Sequence, residues 1–113
     1  MQNDVLLTAM IPTECWHSLH RLAELEERGF SGQVRLAIRE YLAGSESSHD
    51  DEDLPDGTRH AEQRTPIGVR VPIVHVRALE RLARSNGRPR AAEVRRAVRM
   101  HVARAGAQQE ALT

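Results

Sequence analysis

One pattern occurs twice in this chain. When the 113-residue sequence is shifted by sixty positions, residues 12–43 align with residues 72–103 without a gap, and eleven of the thirty-two aligned positions are identical. An internal match at a fixed spacing indicates two copies of one structural unit. Because a unit of about 45 residues buries too little apolar surface alone, we expect the copies to pack on each other or on copies in another chain.

The composition favours one small domain with an aliphatic core, since the chain has one Trp, one Tyr and one Phe. The single cysteine, Cys15, excludes an intrachain disulfide. No apolar run has the length of a membrane span, and the N-terminus lacks the basic and apolar segments of a signal peptide. We therefore expect a cytoplasmic protein without a membrane partner.

The net charge of zero conceals a strong asymmetry. Residues 1–44 have a formal charge of −2, residues 45–64 of −5 and residues 65–113 of +7, and every basic side chain is an arginine. A basic half beside an acidic segment predicts a polyanionic partner. On charge alone, the second copy is expected to make the stronger contact with it.

Each copy begins with a short alternating segment. Apolar residues alternate weakly over 5–11 and cleanly over 67–71, and each segment is followed by a proline, Pro12 or Pro72. A period of two over five to seven residues predicts a half-buried strand. A proline is tolerated where a helix begins, so a helix is expected to follow each strand.

Two helices are predicted in each copy. In the first copy, one helix is expected over about 13–28, ended by Gly29, and Ser31 is expected to cap the next. The core faces of the second helices repeat at helical spacing: Val34, Ala37, Ile38, Tyr41 and Leu42, then Val94, Ala97, Val98, His101 and Val102.

These patterns divide the chain into four parts. The two strand–helix–helix repeats are predicted at 4–44 and 65–104. Residues 45–64 are predicted to form an acidic flexible tether, and residues 105–113 are predicted to form a flexible tail. A flexible chain of about 20 residues spans roughly 25 Å on average, which is enough for both repeats to share one core.

The segments VLLTAMIP…LHRLAELEERGFSGQVRLAIREYL and IGVRVP…LERLARSNGRPRAAEVRRAVRMHV resemble the ribbon-helix-helix family of DNA-binding proteins, which includes the Arc, MetJ and CopG repressors. The resemblance covers both repeats and is similar to the tandem single-chain form of TraY. It implies a mainly α fold with a short two-stranded antiparallel ribbon, in which both repeats form one intertwined, pseudo-dimeric domain.

This resemblance implies a DNA interface on the ribbon, which enters the major groove of double-stranded DNA. With Ile67, Val69 and Val71 facing the helices, the groove-facing residues are Pro66, Gly68 and Arg70, and by the repeat offset Leu6, Thr8 and Met10. Arg70 is suited to a two-pronged contact with guanine, Thr8 to several bases and Met10 to a thymine methyl group.

Backbone phosphates are expected at the starts of the second helices, where free N–H groups and the helix dipole attract anions. The expected residues in the first repeat are Ser31, Gly32 and Gln33. In the second repeat they are Ala91, Ala92 and Glu93, flanked by Arg88 and Arg90. Glu93 is expected to weaken this second site.

Other side chains have less specific interpretations. Arg35, Arg39, Arg95 and Arg99 fit ion pairs better than DNA contacts, and a solvated face is expected for Arg77, Arg81, Arg84, Arg96 and Arg104. Cys15, His17 and His20 do not share one helix face, which disfavours a metal site. His101 is expected to be packed, whereas Leu6, Leu36 and Phe30 are expected to be exposed, consistent with self-association on DNA.

No catalytic constellation or cofactor motif is visible, so the chain is not expected to be an enzyme. The leading hypothesis is a sequence-specific transcriptional repressor. The alternatives are a protein-interaction module on the same fold (an antitoxin or anti-repressor) and a plasmid transfer or partition accessory DNA-binding protein. Two chains could also exchange repeats to form a four-repeat assembly.

Overall fold

The chain folds in the order strand, helix, helix, strand, helix, helix. A computed structural model describes residues 3–44 and 63–112. The elements are β1 (Asp4–Pro12), α1 (Thr13–Leu25), α2 (Phe30–Ala43), β2 (Arg64–Pro72), α3 (Ile73–Asn86) and α4 (Arg90–Leu112). This is a mainly helical fold with one two-stranded antiparallel sheet, so the predicted fold class is confirmed at that level.

The two strands form one ribbon with nine residues each. Asp4 pairs with Pro72, Pro12 pairs with Arg64, and the central pair is Thr8 with Gly68. The strands are longer than the alternation predicted, and Arg64 belongs to β2 rather than to the tether. Each strand runs directly into a helix at its proline, where no strand hydrogen bond can be donated.

The core lies between the inner face of the ribbon and the four helices. Leu7, Ile11, Ile67, Val69 and Val71 are the buried ribbon residues. Leu19 of α1 and Leu79 of α3 are fully buried beneath them, as are Val34 and Ile38 of α2 and Val94 and Val98 of α4. The helical stripes predicted from the sequence are therefore confirmed, and they fix which face of each helix is left for a partner.

The turn after α1 differs from its prediction. The helix ends at Leu25, and the left-handed residue is Glu27, at a φ of 53°. The N–H of Arg28 donates to the Ala23 carbonyl at 2.9 Å, which is the long bond of a Schellman turn. Gly29 does not break α1 but precedes α2 in an extended conformation. Gly87, at a φ of 68°, has the left-handed role after α3.

The last helix is also longer than predicted. The backbone of α4 is helical from Arg90 to Leu112, so residues 105–112 continue the helix where a flexible tail was expected. The predicted tether lies outside the described residues except for its last two positions. Among the helices that the structure describes, none combines the length and apolarity needed to cross a membrane.

Candidate nucleic-acid interface

The outer face of the ribbon contains the six residues that the sequence predicted for it. Leu6, Thr8 and Met10 of β1 and Pro66, Gly68 and Arg70 of β2 are all exposed. They form three cross-strand rows, with Leu6 opposite Arg70, Thr8 opposite Gly68 and Met10 opposite Pro66. Rows two residues apart are separated by roughly 7 Å, so the face extends about 14 Å along the ribbon.

Arginines from the helices hold the ribbon backbone from the side. Arg35 Nη1 of α2 donates to the carbonyl of Arg70 at 3.2 Å, and Arg95 Nη1 of α4 donates to the carbonyl of Met10 at 3.4 Å. Both arginines therefore contact strand carbonyls of the ribbon. These bonds fix the two ends of the outer face relative to the helices.

A groove joins the outer face to the start of α4. Its volume is about 480 Å³, and Thr8, Met10, Pro66, Gly68 and Ala91 are among its lining residues. Its walls are mainly apolar. A Cβ atom added at Gly68 would lie 3.6 Å from Leu6 Cδ1, an ordinary contact, so the ribbon can accept a side chain there.

Fewer N–H groups are available for phosphate at the start of α2 than the sequence predicted. The helix begins at Phe30 after Gly29, so Ser31 is inside its first turn and does not cap it. The N–H of Gln33 donates to the Gly29 carbonyl at 3.0 Å, and the Gln33 side chain is fully buried. Gln33 therefore cannot hold a phosphate, which leaves the first-turn N–H groups of Ser31 and Gly32.

The corresponding site at α4 is corrected in the same way. The N–H of Ala92 donates to the Pro89 carbonyl at 3.0 Å, and Ala92 is buried. Arg88 Nε donates to Glu93 Oε2 at 2.6 Å, and Arg90 Nη1 to Glu80 Oε2 at 3.1 Å. Of the predicted set, Ala91 lines the groove, and the side chain of Arg90 is partly exposed.

Glu93 is a buried residue that the sequence argument placed wrongly at the phosphate site. Its side chain is fully buried, and Tyr41 Oη donates to its Oε1 at 2.5 Å. Arg96 Nε in turn donates to Tyr41 Oη at 3.3 Å, so Arg96 is not part of a solvated face. Burial, with the hydrogen bond to the Glu93 carboxylate, raises the pKa of Tyr41 to about 12.

A second buried polar pair occurs sixty positions away. His101, the counterpart of Tyr41, is buried as expected, and its Nε2 lies 2.8 Å from Oε1 of Gln33, the counterpart of Glu93. His101 Nδ1 lies 3.0 Å from Glu40 Oε1. The sequence contains a signal for these pairs, because Gln33, Ala37 and Tyr41 are four residues apart and therefore share one face of α2. Polar residues on a core stripe predict polar contacts across the core.

Much of the positive charge of the second repeat is either paired with a carboxylate or buried. Arg88, Arg90 and Arg104 pair with Glu93, Glu80 and Glu40. Arg95 and Arg96 are buried. The formal charge of +7 therefore exaggerates what this half presents to a partner, which weakens the expectation that it makes the stronger contact.

The aromatic residues near α1 form a surface cluster. His20 stacks on Phe30 at 4.5 Å between ring centroids, and Trp16 lies 4.3 Å from His20. Phe30 and Leu36 are half-buried rather than exposed, whereas Leu6 is 61% exposed. Within residues 3–44 and 63–112, no group of three or more His, Cys, Asp or Glu side chains could hold a metal ion.

Comparison with protein-family models, with curated proteins and with solved structures finds no match to this chain. The function is therefore inferred from the geometry of the ribbon and its flanks.

Proposed function

We propose that this protein binds double-stranded DNA with sequence specificity by inserting its ribbon into the major groove, and that it acts as a transcriptional repressor in the cytoplasm. The observation that carries the proposal is the separation of the two ribbon faces. Leu7, Val69 and Val71 are buried inward, whereas all six predicted base-reading residues are exposed outward. The major groove is about 12 Å wide and admits a two-stranded ribbon.

Paired contacts support two repeats arranged as one pseudo-dimer. The Arg35 bond to the Arg70 carbonyl and the Arg95 bond to the Met10 carbonyl are related by the sixty-residue offset. So are two bonds that close the ribbon, from Thr13 N–H to the Gln63 carbonyl and from Ile73 N–H to the Asn3 carbonyl. Such pairs are expected when a pseudo-two-fold axis passes between the central residues of the ribbon.

The proposed readout is asymmetric because the two strands differ. Arg70 would contact guanine, Thr8 would hydrogen-bond a base edge, and Met10 would pack on a thymine methyl group. The remaining positions would complement the shape of the groove. Leu6 would make an apolar contact with DNA, and Pro66 and Gly68 would allow the ribbon backbone to approach it closely. A true dimer reads a palindrome, whereas this ribbon would prefer a site without two-fold symmetry.

The flanking backbone would be held at the helix starts. The first-turn N–H groups of Ser31 and Gly32 at α2, and Ala91 with Arg90 at α4, lie on the two sides of the ribbon. N–H groups at a helix start bind phosphate because they lack intrahelical acceptors and lie at the positive end of the helix dipole. These contacts would set the register of the ribbon without reading sequence.

The test is selection of duplexes from a random library, followed by fluorescence anisotropy on the enriched sequence. Arg70→Ala should weaken this duplex by roughly 5- to 150-fold, corresponding to about 1–3 kcal/mol, with little effect on a scrambled duplex. Arg77→Ala, at an exposed position of α3, removes the same charge and is the matched control. Equal affinity of wild type and Arg70→Ala for both duplexes would refute the proposed readout.

A second candidate is a protein-interaction module, such as an antitoxin or anti-repressor. It is favoured by the apolar character of the outer face, where Leu6 is 61% and Met10 is 42% exposed. Apolar side chains beside a groove are typical of protein partners. Binding to DNA that falls steeply as salt rises supports the first candidate, and the absence of duplex binding at low salt supports the second.

A further inference from the structure

Three arginines of the first repeat surround a pocket on the flank of the ribbon. The pocket has a volume of about 320 Å³ and is lined by Arg28, Arg35 and Arg39 together with Leu36, Pro72 and His75. Arg35 and Arg39 lie on one stripe of α2, because residues four positions apart share a helix face, and Arg28 comes from the turn that precedes this helix. No lining residue is acidic, so the pocket is strongly positive.

These arginines make few or weak interactions with other residues of the protein. Among the described residues, Arg39 has no hydrogen-bond or ion-pair partner. Arg35 donates one bond to a carbonyl, which leaves its charge uncompensated. Arg28 Nε lies 3.9 Å from Glu26 Oε1, and both side chains are more than two-fifths exposed, a geometry that contributes little.

Gly32 allows the Arg28 side chain to lie over the helix beside this pocket. A Cβ atom at Gly32 would lie 2.8 Å from Arg28 Cγ, so an added methyl group would displace that side chain. In the second repeat, the corresponding position carries Ala92, and the corresponding Arg88 is bound to Glu93. The pocket is therefore a feature in which the repeats differ.

His75 is an independent indication that this pocket binds a ligand, because one of its polar atoms lacks a hydrogen-bond partner within the part of the chain that the structure describes. Its Nδ1 is buried without a hydrogen-bond partner among the described residues, and the residue lines the pocket. A buried nitrogen without a partner is costly, and an ion or water that binds nearby is one explanation of such an atom.

We propose that this pocket binds a phosphate group, either from a small phosphorylated molecule or from a DNA backbone. Planar guanidinium groups match phosphate oxygens, and several of them around one cavity favour a multiply charged anion. The volume lies at the lower end of the range for ligand pockets, which fits pyrophosphate or a similarly small group. The pocket shares Gly32 with the helix start proposed to hold the DNA backbone, and its binding of a free anion can be tested without DNA.

The first arm of the test is calorimetric titration of pyrophosphate into the full chain at low salt. Wild type should bind one equivalent saturably. Arg39→Gln, which removes an exposed charge, should weaken binding about tenfold or more, and Gly32→Ala should weaken it by displacing Arg28. The control Arg81→Gln removes an equal charge at an exposed position outside the pocket and should change affinity less than about twofold.

The second arm measures duplex binding by the same variants and distinguishes the two sources. If the protein does not bind pyrophosphate, and if Arg39→Gln and Gly32→Ala weaken duplex binding while Arg81→Gln does not, the ligand is a backbone phosphate of DNA. Pyrophosphate binding that is specific to the pocket in a protein that binds no duplex identifies a small molecule and rejects the DNA-binding function. If neither ligand distinguishes the two pocket variants from Arg81→Gln, the pocket does not bind phosphate.

Discussion

The buried hydrogen bond between Tyr41 and Glu93 predicts that the protein loses stability at high pH in a measurable way. The Tyr41 hydroxyl is the donor, and it can donate to the carboxylate only while it keeps its proton. Burial and the carboxylate together raise the pKa of Tyr41 from 10.0 to about 12. Ionisation of the folded protein would place two negative charges side by side in the core.

The sign of the effect follows from proton linkage. Below pH 10, Tyr41 is protonated in both states, and the whole stabilisation is present. Between pH 10 and about 12, the unfolded chain releases the proton while the folded chain keeps it, so the free energy of unfolding falls as pH rises. Two pH units at about 1.4 kcal/mol each give a loss of about 3 kcal/mol.

The composition makes this measurement unusually direct. The chain contains one tyrosine and no lysine, so tyrosinate absorbance near 295 nm reports Tyr41 alone. Arginine keeps its proton throughout this range. Urea unfolding at intervals from pH 9.5 to 11.5, for wild type and Tyr41→Phe, then gives the stability difference as a function of pH.

Wild type should lose stability at a slope approaching 1.4 kcal/mol per pH unit, whereas Tyr41→Phe should show a nearly flat profile. At pH 8, Tyr41→Phe should be less stable by about 1.5–3 kcal/mol, since it removes a hydrogen bond to a charged acceptor. A folded-state titration midpoint near 10, or parallel pH profiles of the two proteins, would refute the buried pair.

Three further predictions concern turns and core. Glu27→Gly should raise the unfolding free energy by about 0.5–1 kcal/mol because it removes the strain of a left-handed non-glycine residue, and Gly87→Ala should lower it by about 1 kcal/mol because it introduces that strain. Both values are measured by urea unfolding, and changes of the opposite sign would refute the turn assignment. Ile38→Ala should cost about 2–5 kcal/mol, against less than about 0.5 for the exposed Leu25→Ala, and equal losses would contradict the core. Glu93→Ala should cost about 3–5 kcal/mol because it removes the buried carboxylate to which Tyr41 and Arg88 donate, and a neutral result would contradict its burial.

The elements and their faces could be predicted because their signals are local and periodic. Alternation over residues 67–71 gave the inner face of β2, and the helical stripe that begins at Val34 gave the core face of α2. The outward residues Pro66, Gly68 and Arg70 followed from that alternation, since neighbouring residues of a strand point to opposite faces. The sixty-residue offset then gave Leu6, Thr8 and Met10. Their exposure required no knowledge of how the helices pack.

The errors have a different origin, because they depend on contacts between distant residues. Glu93 looks like a surface acid until Tyr41, fifty-two residues earlier, supplies a buried donor. Gly29 is expected to end α1 because glycine commonly follows a helix, although the repeat offset from Gly87 points to Glu27 as the left-handed residue. The pocket near Arg39 was missed because its His75 wall comes from the other repeat.

The central claim is that the outer face of the ribbon meets DNA, and amide chemical-shift mapping tests it most directly. The ¹⁵N-labelled chain would be titrated with the duplex enriched by selection. The account predicts the largest shifts at Thr8, Met10, Gly68 and Arg70, with smaller ones at the first turns of α2 and α4. Shifts concentrated on the exposed faces of α1 and α3, with the ribbon amides unchanged, would contradict it.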